Sequence, residues 1–255
     1  MLAEERQATI VGLVNANGSV LVKDLAERFG VTEDCIRKDL TLLQKKELLK
    51  KTYGGAVQVR VHNEDFFASQ RIGKNQEEKI KIAKKAIGVI RSGNVIFLDN
   101  STSNIELARL LVASELNVTV VTNMIEVMHV FAAAESGIEL IFIGGTLSRG
   151  RDCFNGALTN MILRNFRFDK SFLGVVGVDL DRNCVTTFMS EDATTKKTIL
   201  DCSTQSYMML ESRKLSSEGN FVYAETEDFT GAILEKEAEE KDKEKMKRYQ
   251  IEWIM

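Results

Sequence analysis

Two groups of polar residues in this 255-residue sequence have types and spacing that could bind an anion. The first surrounds Arg37, with Lys38 beside it and Lys50 and Lys51 about a dozen positions further on. A guanidinium offers paired donors to a base edge, while lysines set affinity for phosphates rather than sequence choice. Thr32 precedes this group and can donate its hydroxyl to a phosphate. The group predicts contacts with DNA, and the alternative is a solvated helix face.

The second group follows a short apolar run that ends at Leu98. Hydroxyls and backbone N–H groups at the start of a helix form a cradle for an anion such as a phosphate. The alternative interpretation is a helix cap that holds no ligand. Five polar residues stand in succession here: Asp99, Asn100, Ser101, Thr102 and Ser103.

The elements that position the first group read as three helices and a hairpin. Apolar spacing predicts helices over Glu5–Val14 and Val22–Phe29, the second ended by Gly30, which suits a left-handed cap. Thr32 is a good N-cap for a third helix that carries Arg37. Gly54-Gly55 then separates two strand-like segments, a hairpin signal. Three helices and a basic hairpin indicate a winged helix-turn-helix domain, residues 1–59.

The second group belongs to an alternating pattern of strands and helices over residues 77–255, after a linker at residues 60–76. That alternation predicts an α/β domain with a mainly parallel sheet. The expected strands are Val95–Leu98, Val118–Val121, Leu140–Ile143, Phe172–Val175, Met208–Leu210 and Ala232–Leu234. The expected helices are Glu77–Ile90, Ile105–Val112, Ile125–Ala134, Leu158–Phe166 and Glu191–Cys202, with a charged helix over Glu235–Arg248 and a last strand over Ile251–Ile254.

Composition excludes several classes of protein. The chain is 44% hydrophobic and 28% charged, which is ordinary for a globular protein and argues against disorder. Four scattered cysteines and two histidines make a zinc site improbable, and no apolar run is long enough to span a membrane. We therefore expect a cytoplasmic protein with reduced thiols, no metal and no membrane partner. Residues 1–60 carry a net charge of +2 and the rest −5, which favours the first module as the partner of an anion.

The first module resembles the DNA-binding head of DeoR-family transcription regulators. The family run VS-x-x-TIRRDL-x-x-L is similar to Val31–Leu43, and its closing HGGA is similar to Tyr53-Gly-Gly-Ala56. The resemblance implies a sequence-specific regulator, in most cases a repressor, with a double-stranded DNA operator as partner. Cys35 and Lys38 are among the DNA-binding positions that the resemblance implies; Cys35 stands where the family usually has threonine and so lacks its hydroxyl, and Lys38 replaces an arginine.

The second module resembles the family's effector domain, which is related in fold to ribose-5-phosphate isomerase. The resemblance implies a phosphorylated sugar or related metabolite as effector, control of a carbohydrate-metabolism operon, and no cofactor. It also implies a homo-oligomer, as helix-turn-helix dimers usually pair with two half-sites. Ser101 stands where the family pattern D-x-G-T-T has glycine. Further effector-binding residues are expected at the strand ends: Thr122, Asn123, Gly144, Gly145, Asp179, Glu191, Lys196 and Lys214.

An enzyme is the alternative function, namely a sugar-phosphate isomerase with an accessory DNA-binding head. Asp179 and Asp181 could serve as acid and base, and Lys196 could stabilise charge. The isomerase signature, however, pairs a D-G-A-D-E run with a K-G-G-G loop, and this chain has neither. We therefore expect a regulator without catalytic residues.

Overall fold

The computed structural model describes residues 3–46, 48–57, 67–150 and 152–254. The chain divides into two compact units, Met1–His62 and Asn63–Met255. The predicted linker, residues 60–76, lies outside the described residues up to position 66, and the remainder belongs to the second unit. The predicted domain limits therefore stay a prediction.

The first unit is a winged helix, as predicted. Gly30 ends the second helix at φ 62°, in the left-handed cap expected from the sequence. Ile10, Leu25 and Leu40 are buried in its core. Its helices are α1 Ala3–Asn17, α2 Val22–Phe29 and α3 Glu33–Lys45. Its strands are β1 Ser19–Leu21, β2 Lys50–Thr52 and β3 Gly55–Val57.

The three strands form an antiparallel sheet in the order β1-β3-β2. The hairpin of β2 and β3 is the predicted wing, whereas β1 was not predicted because three residues carry no readable period. Gly55 is required where β3 crosses β1, since a Cβ there would lie 1.9 Å from the Val20 carbonyl oxygen. The wing is thereby held close to the start of α2.

The second unit alternates helices and strands. Its helices are α4 Ala68–Arg71, α5 Gln76–Ile87, α6 Thr102–Val112, α7 Ile125–Ala132, α8 Ala157–Leu163, α9 Ser190–Asp201 and α10 Glu240–Arg248. Its strands are β4 Val95–Leu98, β5 Thr119–Thr122, β6 Glu139–Phe142, β7 Thr146–Leu147, β8 Phe154–Asn155, β9 Phe168–Gly174, β10 Gly177–Asp179, β11 Cys184–Thr187, β12 Ser203–Met209, β13 Phe221–Ala224, β14 Gly231–Ile233 and β15 Glu252–Ile254.

Seven of these strands form one parallel sheet, in the order β15-β14-β12-β9-β4-β5-β6. This confirms the predicted α/β class. Leu98 lies opposite both Thr122 and Phe172, so β4, β5 and β9 end side by side. Because the carboxyl ends of parallel strands share one edge, the loops that follow them meet there.

Alternate residues of the central strands enter the cores on opposite faces of this sheet. Phe97 and Leu173 pack into one core, and Leu98 and Phe172 into the other. Strands buried on both faces are continuous apolar runs, which is why the sequence located them.

Several features of the second unit differ from the expected fold. The hairpin of β7 with β8 and the antiparallel sheet β10-β11-β13 were not predicted, because strands of two to four residues show no clear period. The charged helix is shorter than predicted and begins at Glu240 rather than Glu235.

None of the helices in the described ranges is both long enough and apolar enough to cross a membrane.

Candidate functional site

The exposed face of α3 carries the predicted DNA-contacting residues. The Arg37 guanidinium is half exposed and binds two carboxylates of the first turn, Glu33 at 2.6 Å and Asp34 at 2.9 Å. A shallow groove of about 380 Å³ runs along this face. Its lining residues are Asp34, Arg37, Lys38, Thr41, Leu42 and Lys45.

The orientation of α3 depends on Asp39, which sequence reasoning did not single out. This buried carboxylate accepts hydrogen bonds from Arg6 Nε at 2.6 Å and from Gln7 Nε2 at 2.9 Å, both on α1. The contact joins residues more than thirty positions apart, so no local pattern could reveal it. Asp39 faces α1, while Arg37 and Lys38 face outward on the same helix.

The wing is attached to the same helix. Lys51 Nζ donates to the Thr41 hydroxyl at 2.7 Å, and the Lys51 backbone N–H donates to Gln44 Oε1 at 2.8 Å. Lys51 is thus partly engaged within the unit, whereas Lys50 is exposed. Thr32 caps α3 through its hydroxyl, which accepts from the Cys35 N–H at 3.3 Å.

The second candidate site lies at the carboxyl edge of the parallel sheet. At its centre is a buried ion pair between Lys196 on α9 and Asp99 after β4. Lys196 Nζ also donates to the Gly174 carbonyl at 2.9 Å and lies 3.8 Å from Asp192. Burial alone lowers the pKa of Lys196, but the carboxylates of Asp192 and Asp99 outweigh it, so the pKa is raised and the ammonium stays charged.

Lys196 is predicted to bind the effector. The structure shows it buried, with Asp99 as the counter-ion of its ammonium, so its charge is not exposed at the surface. Asp99 in turn accepts the Gly174 N–H at 3.0 Å through Oδ2. Both residues therefore organise the loop that would hold a ligand.

Ser101 occupies its unusual place because of Gly174. A Cβ on Gly174 would lie 2.5 Å from the Ser101 Cβ, so the serine fits against a residue that has no side chain. Ser101 caps α6, its hydroxyl accepting the Ser103 N–H at 3.3 Å. The Ser101 side chain is therefore accommodated by the missing side chain of Gly174, and the start of α6 keeps its polar residues Thr102 and Ser103.

Buried side-chain oxygens beside this loop, that of Asn104 included, have no hydrogen-bond partner among the described residues, and three of them belong to predicted effector-binding residues. They are Oδ1 of Asp99, Oδ1 of Asn100 and Oδ1 of Asn123. All three atoms accept hydrogen bonds and so suit the hydroxyl groups of a ligand rather than its phosphate. Donors suited to a phosphate stand next to them at the N-terminus of α6.

Lys214 lies beside the same edge, in a short 3₁₀ helix after β12. Its ammonium is largely buried, donates to the Val175 carbonyl at 2.9 Å and lies 3.8 Å from Glu211. Burial lowers the pKa of Lys214 to about 7; Glu211 opposes this shift, and the cations Arg71, Arg213 and Lys79 add to it. Lys214 is consequently poised to change its charge near neutral pH.

The other predicted residues divide into two sets. Thr122 and Asn123 lie at the end of β5 beside Leu98, and the Thr122 hydroxyl donates to the Leu98 carbonyl at 2.7 Å. Gly144 and Gly145 follow β6, the next strand, and the Gly144 carbonyl accepts the Thr159 hydroxyl at 3.0 Å. A Cβ on Gly145 would lie 2.0 Å from that hydroxyl oxygen. These four residues lie at the carboxyl ends of β5 and β6, and the ligand site that they and Asp99 would border is here called the candidate crevice.

Asp179 and Glu191 form the second set, whose contacts lie away from the Asp99–Lys196 pair. Asp179 accepts the backbone N–H groups of Asp181 and Arg182 at 2.9 and 3.0 Å, which stabilises the turn between β10 and β11. Glu191 is exposed at the start of α9, and hydrogen bonds from the backbone and from Ser190 lower its pKa. Both were predicted to bind the effector; the structure shows their contacts within the protein, and their role toward an effector stays a prediction. Arg151, in a basic loop expected to close over a ligand, is outside the described residues.

Comparison with known families matches both units. The model for the DeoR C-terminal sensor domain matches residues 74–236, and the model for the DeoR-like helix-turn-helix domain matches residues 6–61. The chain belongs to the DeoR family of transcriptional regulators. DeoR-family proteins are regulators rather than enzymes, so the isomerase alternative is set aside.

Several relatives of this DeoR-family chain are named as transcriptional regulators or repressors. The uncharacterised HTH-type regulator YulB of Bacillus subtilis is 34% identical over 84% of this chain and 81% of its own. A putative aga operon transcriptional repressor of Escherichia coli O157:H7 is 31% identical, covering 83% of this chain and 78% of its own. The lactose phosphotransferase system repressor of Streptococcus mutans is 28% identical, covering 94% and 95%.

Solved structures similar to this DeoR-family chain include ribose 5-phosphate isomerase A of Methanocaldococcus jannaschii. That protein is 19% identical, with a TM-score of 0.41, over 55% of this chain and 54% of its own.

Proposed function

We propose that this DeoR-family regulator represses a carbohydrate-metabolism operon and is controlled by a phosphorylated sugar bound at the carboxyl edge of the parallel sheet. The head binds a double-stranded DNA operator through α3 and the wing, with Arg37 reading a base or clamping a phosphate. The regulator acts as a homo-oligomer in the cytoplasm, where the operator DNA is. Relatives named as repressors of the aga operon and of the lactose phosphotransferase system support the class of operon.

The observation that carries the effector assignment is the pairing of donors and acceptors at one loop. The N-terminus of α6, with Thr102 and Ser103, supplies donors of the kind that bind phosphate. The unpartnered oxygens of Asp99, Asn100 and Asn123 supply acceptors for hydroxyl groups. A molecule with a phosphate at one end and hydroxyls along its length satisfies both requirements, and a sugar phosphate is such a molecule.

Replacing Arg37 with alanine is expected to weaken operator binding by about 1–3 kcal/mol, or roughly 5- to 150-fold. The guanidinium lies on the exposed face of α3, where it can exchange its two carboxylate partners for a base edge. Arg37→Lys keeps the charge and loses the paired donors, so it should recover only part of the affinity. Binding is measured by mobility shift on a duplex that the wild-type protein selects from a random library.

Arg182 provides the matched control. Its side chain is 71% exposed and, like that of Arg37, pairs with two carboxylates, Asp179 at 3.7 Å and Glu218 at 3.2 Å, but in the sensor unit. Arg182→Ala should leave DNA affinity unchanged. Equal affinity of Arg37→Ala and wild type would refute the proposed DNA contact.

A phosphorylated sugar present at a free concentration of 100 times its Kd is expected to stabilise the folded protein by about 2.7 kcal/mol, which raises Tm by roughly 5–10 °C. The test screens hexose and pentose phosphates against the same sugars without phosphate and against inorganic phosphate. Only the phosphorylated sugars should give the full shift, because they engage donors and acceptors together. Equal shifts from the unphosphorylated sugars, or none from any compound, would contradict the proposed effector class.

A further inference from the structure

Residues 67–75, here called the connecting segment, are the described part of the chain between the DNA-binding head and α5. Apolar burial holds this segment weakly: Ala68 is buried, but Ile72 is 45% exposed and Gly73, Lys74 and Asn75 are exposed. The segment is fastened instead near its two ends, by polar contacts with loops of the sensor unit. Elements with little apolar burial open at low free-energy cost, so such contacts decide their conformation.

The first contact is made by Asp152, a carboxylate that is 6% exposed. Its Oδ2 accepts the Ala68 backbone N–H at 2.7 Å, and its Oδ1 accepts the Ser148 hydroxyl at 2.6 Å. The Phe67 ring lies against the backbone of the same loop, since a Cβ on Gly150 would come within 2.3 Å of Phe67 Cδ1. The start of the segment is therefore seated on this loop.

The second contact is made by Glu211, which is 3% exposed. Its Oε2 accepts the Asn75 side-chain amide at 2.5 Å and Arg213 Nε at 3.0 Å. Asn75 adopts a left-handed backbone conformation, φ 49°, which a non-glycine residue maintains only when its surroundings support it. Lys79 completes the attachment, its buried ammonium donating to the carbonyls of Arg71 and Lys74.

Each of the two contacts is connected to the candidate crevice through a few hydrogen bonds or ion pairs. The Asp152 carbonyl accepts the Ile125 N–H at 3.0 Å, and the Asn123 carbonyl accepts the Phe154 N–H at 2.9 Å, so the Asp152 loop is joined to the end of β5. On the other side, Lys214 lies 3.8 Å from Glu211 and donates to Val175, which follows Gly174. A ligand that shifts the end of β5, or that draws Lys214 away from Glu211, therefore acts directly on the groups holding the segment.

We propose that Asp152 and Glu211 are positioning residues through which occupancy of the crevice resets the connecting segment and thereby the DNA affinity of the head. This inference rests on the proposed function for the identity of the ligand. It adds which residues transmit the signal. Both carboxylates are nearly inaccessible to water and bind the segment directly, so a change in either contact acts on the segment without an intermediate element.

The test uses the full-length protein with Asp152→Asn and Glu211→Gln, each examined by hydrogen exchange and by mobility shift on the selected duplex. Exchange at Ala68 and over residues 75–79 should become faster, and DNA affinity without ligand should change at least about fivefold, the lower end of usual allosteric coupling. Gly150→Ala displaces the Phe67 ring while keeping both carboxylates, so it should reproduce the effect of Asp152→Asn. Melting curves show which variants are folded, and DNA affinity is compared only for those that are.

Asp169→Asn is the matched control. Asp169 also accepts a backbone N–H, that of Val95 at 2.8 Å, but this contact lies at the start of β4 and does not involve the connecting segment. This substitution should change neither exchange at residues 67–79 nor DNA affinity. Faster exchange with wild-type DNA affinity in both variants would overturn the inference. If no sugar phosphate binds the wild-type protein, the proposed effector fails, yet the effect of the two variants on DNA affinity still decides this inference.

Discussion

Replacing Lys196 with methionine is expected to lower the free energy of unfolding by about 3–5 kcal/mol, the usual cost of leaving one member of a buried ion pair without its partner. Lys196 and Asp99 are 3% and 1% exposed, so water cannot replace the lost ammonium. Asp192, 3.8 Å from the same ammonium, loses its counter-ion as well. The quantity is measured by urea denaturation at neutral pH.

A second substitution distinguishes loss of the pair from loss of packing. Adding Asp99→Asn to Lys196→Met removes the uncompensated charge, so the double variant should be more stable than Lys196→Met alone. The neighbouring Lys197, 48% exposed and 3.5 Å from Asp201, is the control, and Lys197→Met should change stability by no more than about 0.5 kcal/mol. Independent, additive effects of the Lys196 and Asp99 substitutions would show that the two charges do not depend on each other.

Affinity for a phosphorylated sugar is expected to fall by up to about tenfold per pH unit as the pH rises from 7 to 9. Burial is the main reason that the pKa of Lys214 is lowered to about 7, so its ammonium loses its proton over this range. The second pKa of a phosphate is about 6, so the ligand keeps its charge above pH 7. The pKa of Lys196 is raised, so that ammonium stays protonated. Titration calorimetry at several pH values measures the slope.

Lys214→Arg is the control for this pH dependence, because a guanidinium stays charged throughout the range. Its affinity should be independent of pH between 7 and 9, and that of Lys214→Met should be both weak and independent of pH. A flat response of the wild-type protein would show that the charge of Lys214 does not contribute to ligand binding.

The same shift predicts the pH dependence of stability. The unfolded chain keeps Lys214 protonated up to its ordinary pKa of 10.5, whereas the folded protein releases the proton near 7. Between these values the unfolded state holds more protons, so the contribution of Lys214 to stability becomes more favourable as pH rises. The cost of burying its charge is fully present below about pH 7.

Short-range patterns were enough to locate most of the fold. The helix Val22–Phe29 and the strand Val95–Leu98 have the limits expected from apolar periodicity, and the helix begun by Thr32 is capped by that residue. These features depend on residues within one or two turns of each other, which is the range over which periodicity carries information. The small sheet β10-β11-β13 escaped because its pairing joins segments too short to show a period.

The sequence located the polar residues of the candidate site but did not predict their contacts with one another. The polar run after β4 was recognised because its residue types match an anion cradle, but the roles within it were not. Ser101 stands where the family pattern has glycine, and the sequence could not show that it packs against Gly174, seventy-three positions later, which has no side chain. Glu211 and Asp152 carried no signal, since a lone acidic residue between strands is most often solvated.

The sequence by itself determined the two-part organisation, the winged helix, the parallel sheet and the family, because each depends on local composition and spacing. The tertiary structure alone decided how the charges are used. Lys196 and Lys214 are both lysines in polar segments, yet folding places the first against Asp99, where its charge is retained. It buries the second near Arg71, Arg213 and Lys79, and burial first, with these cations, lowers the pKa of Lys214 to about 7. Burial and the sign of neighbouring charges depend on residues distant in sequence, and they emerge only when the strands are brought together.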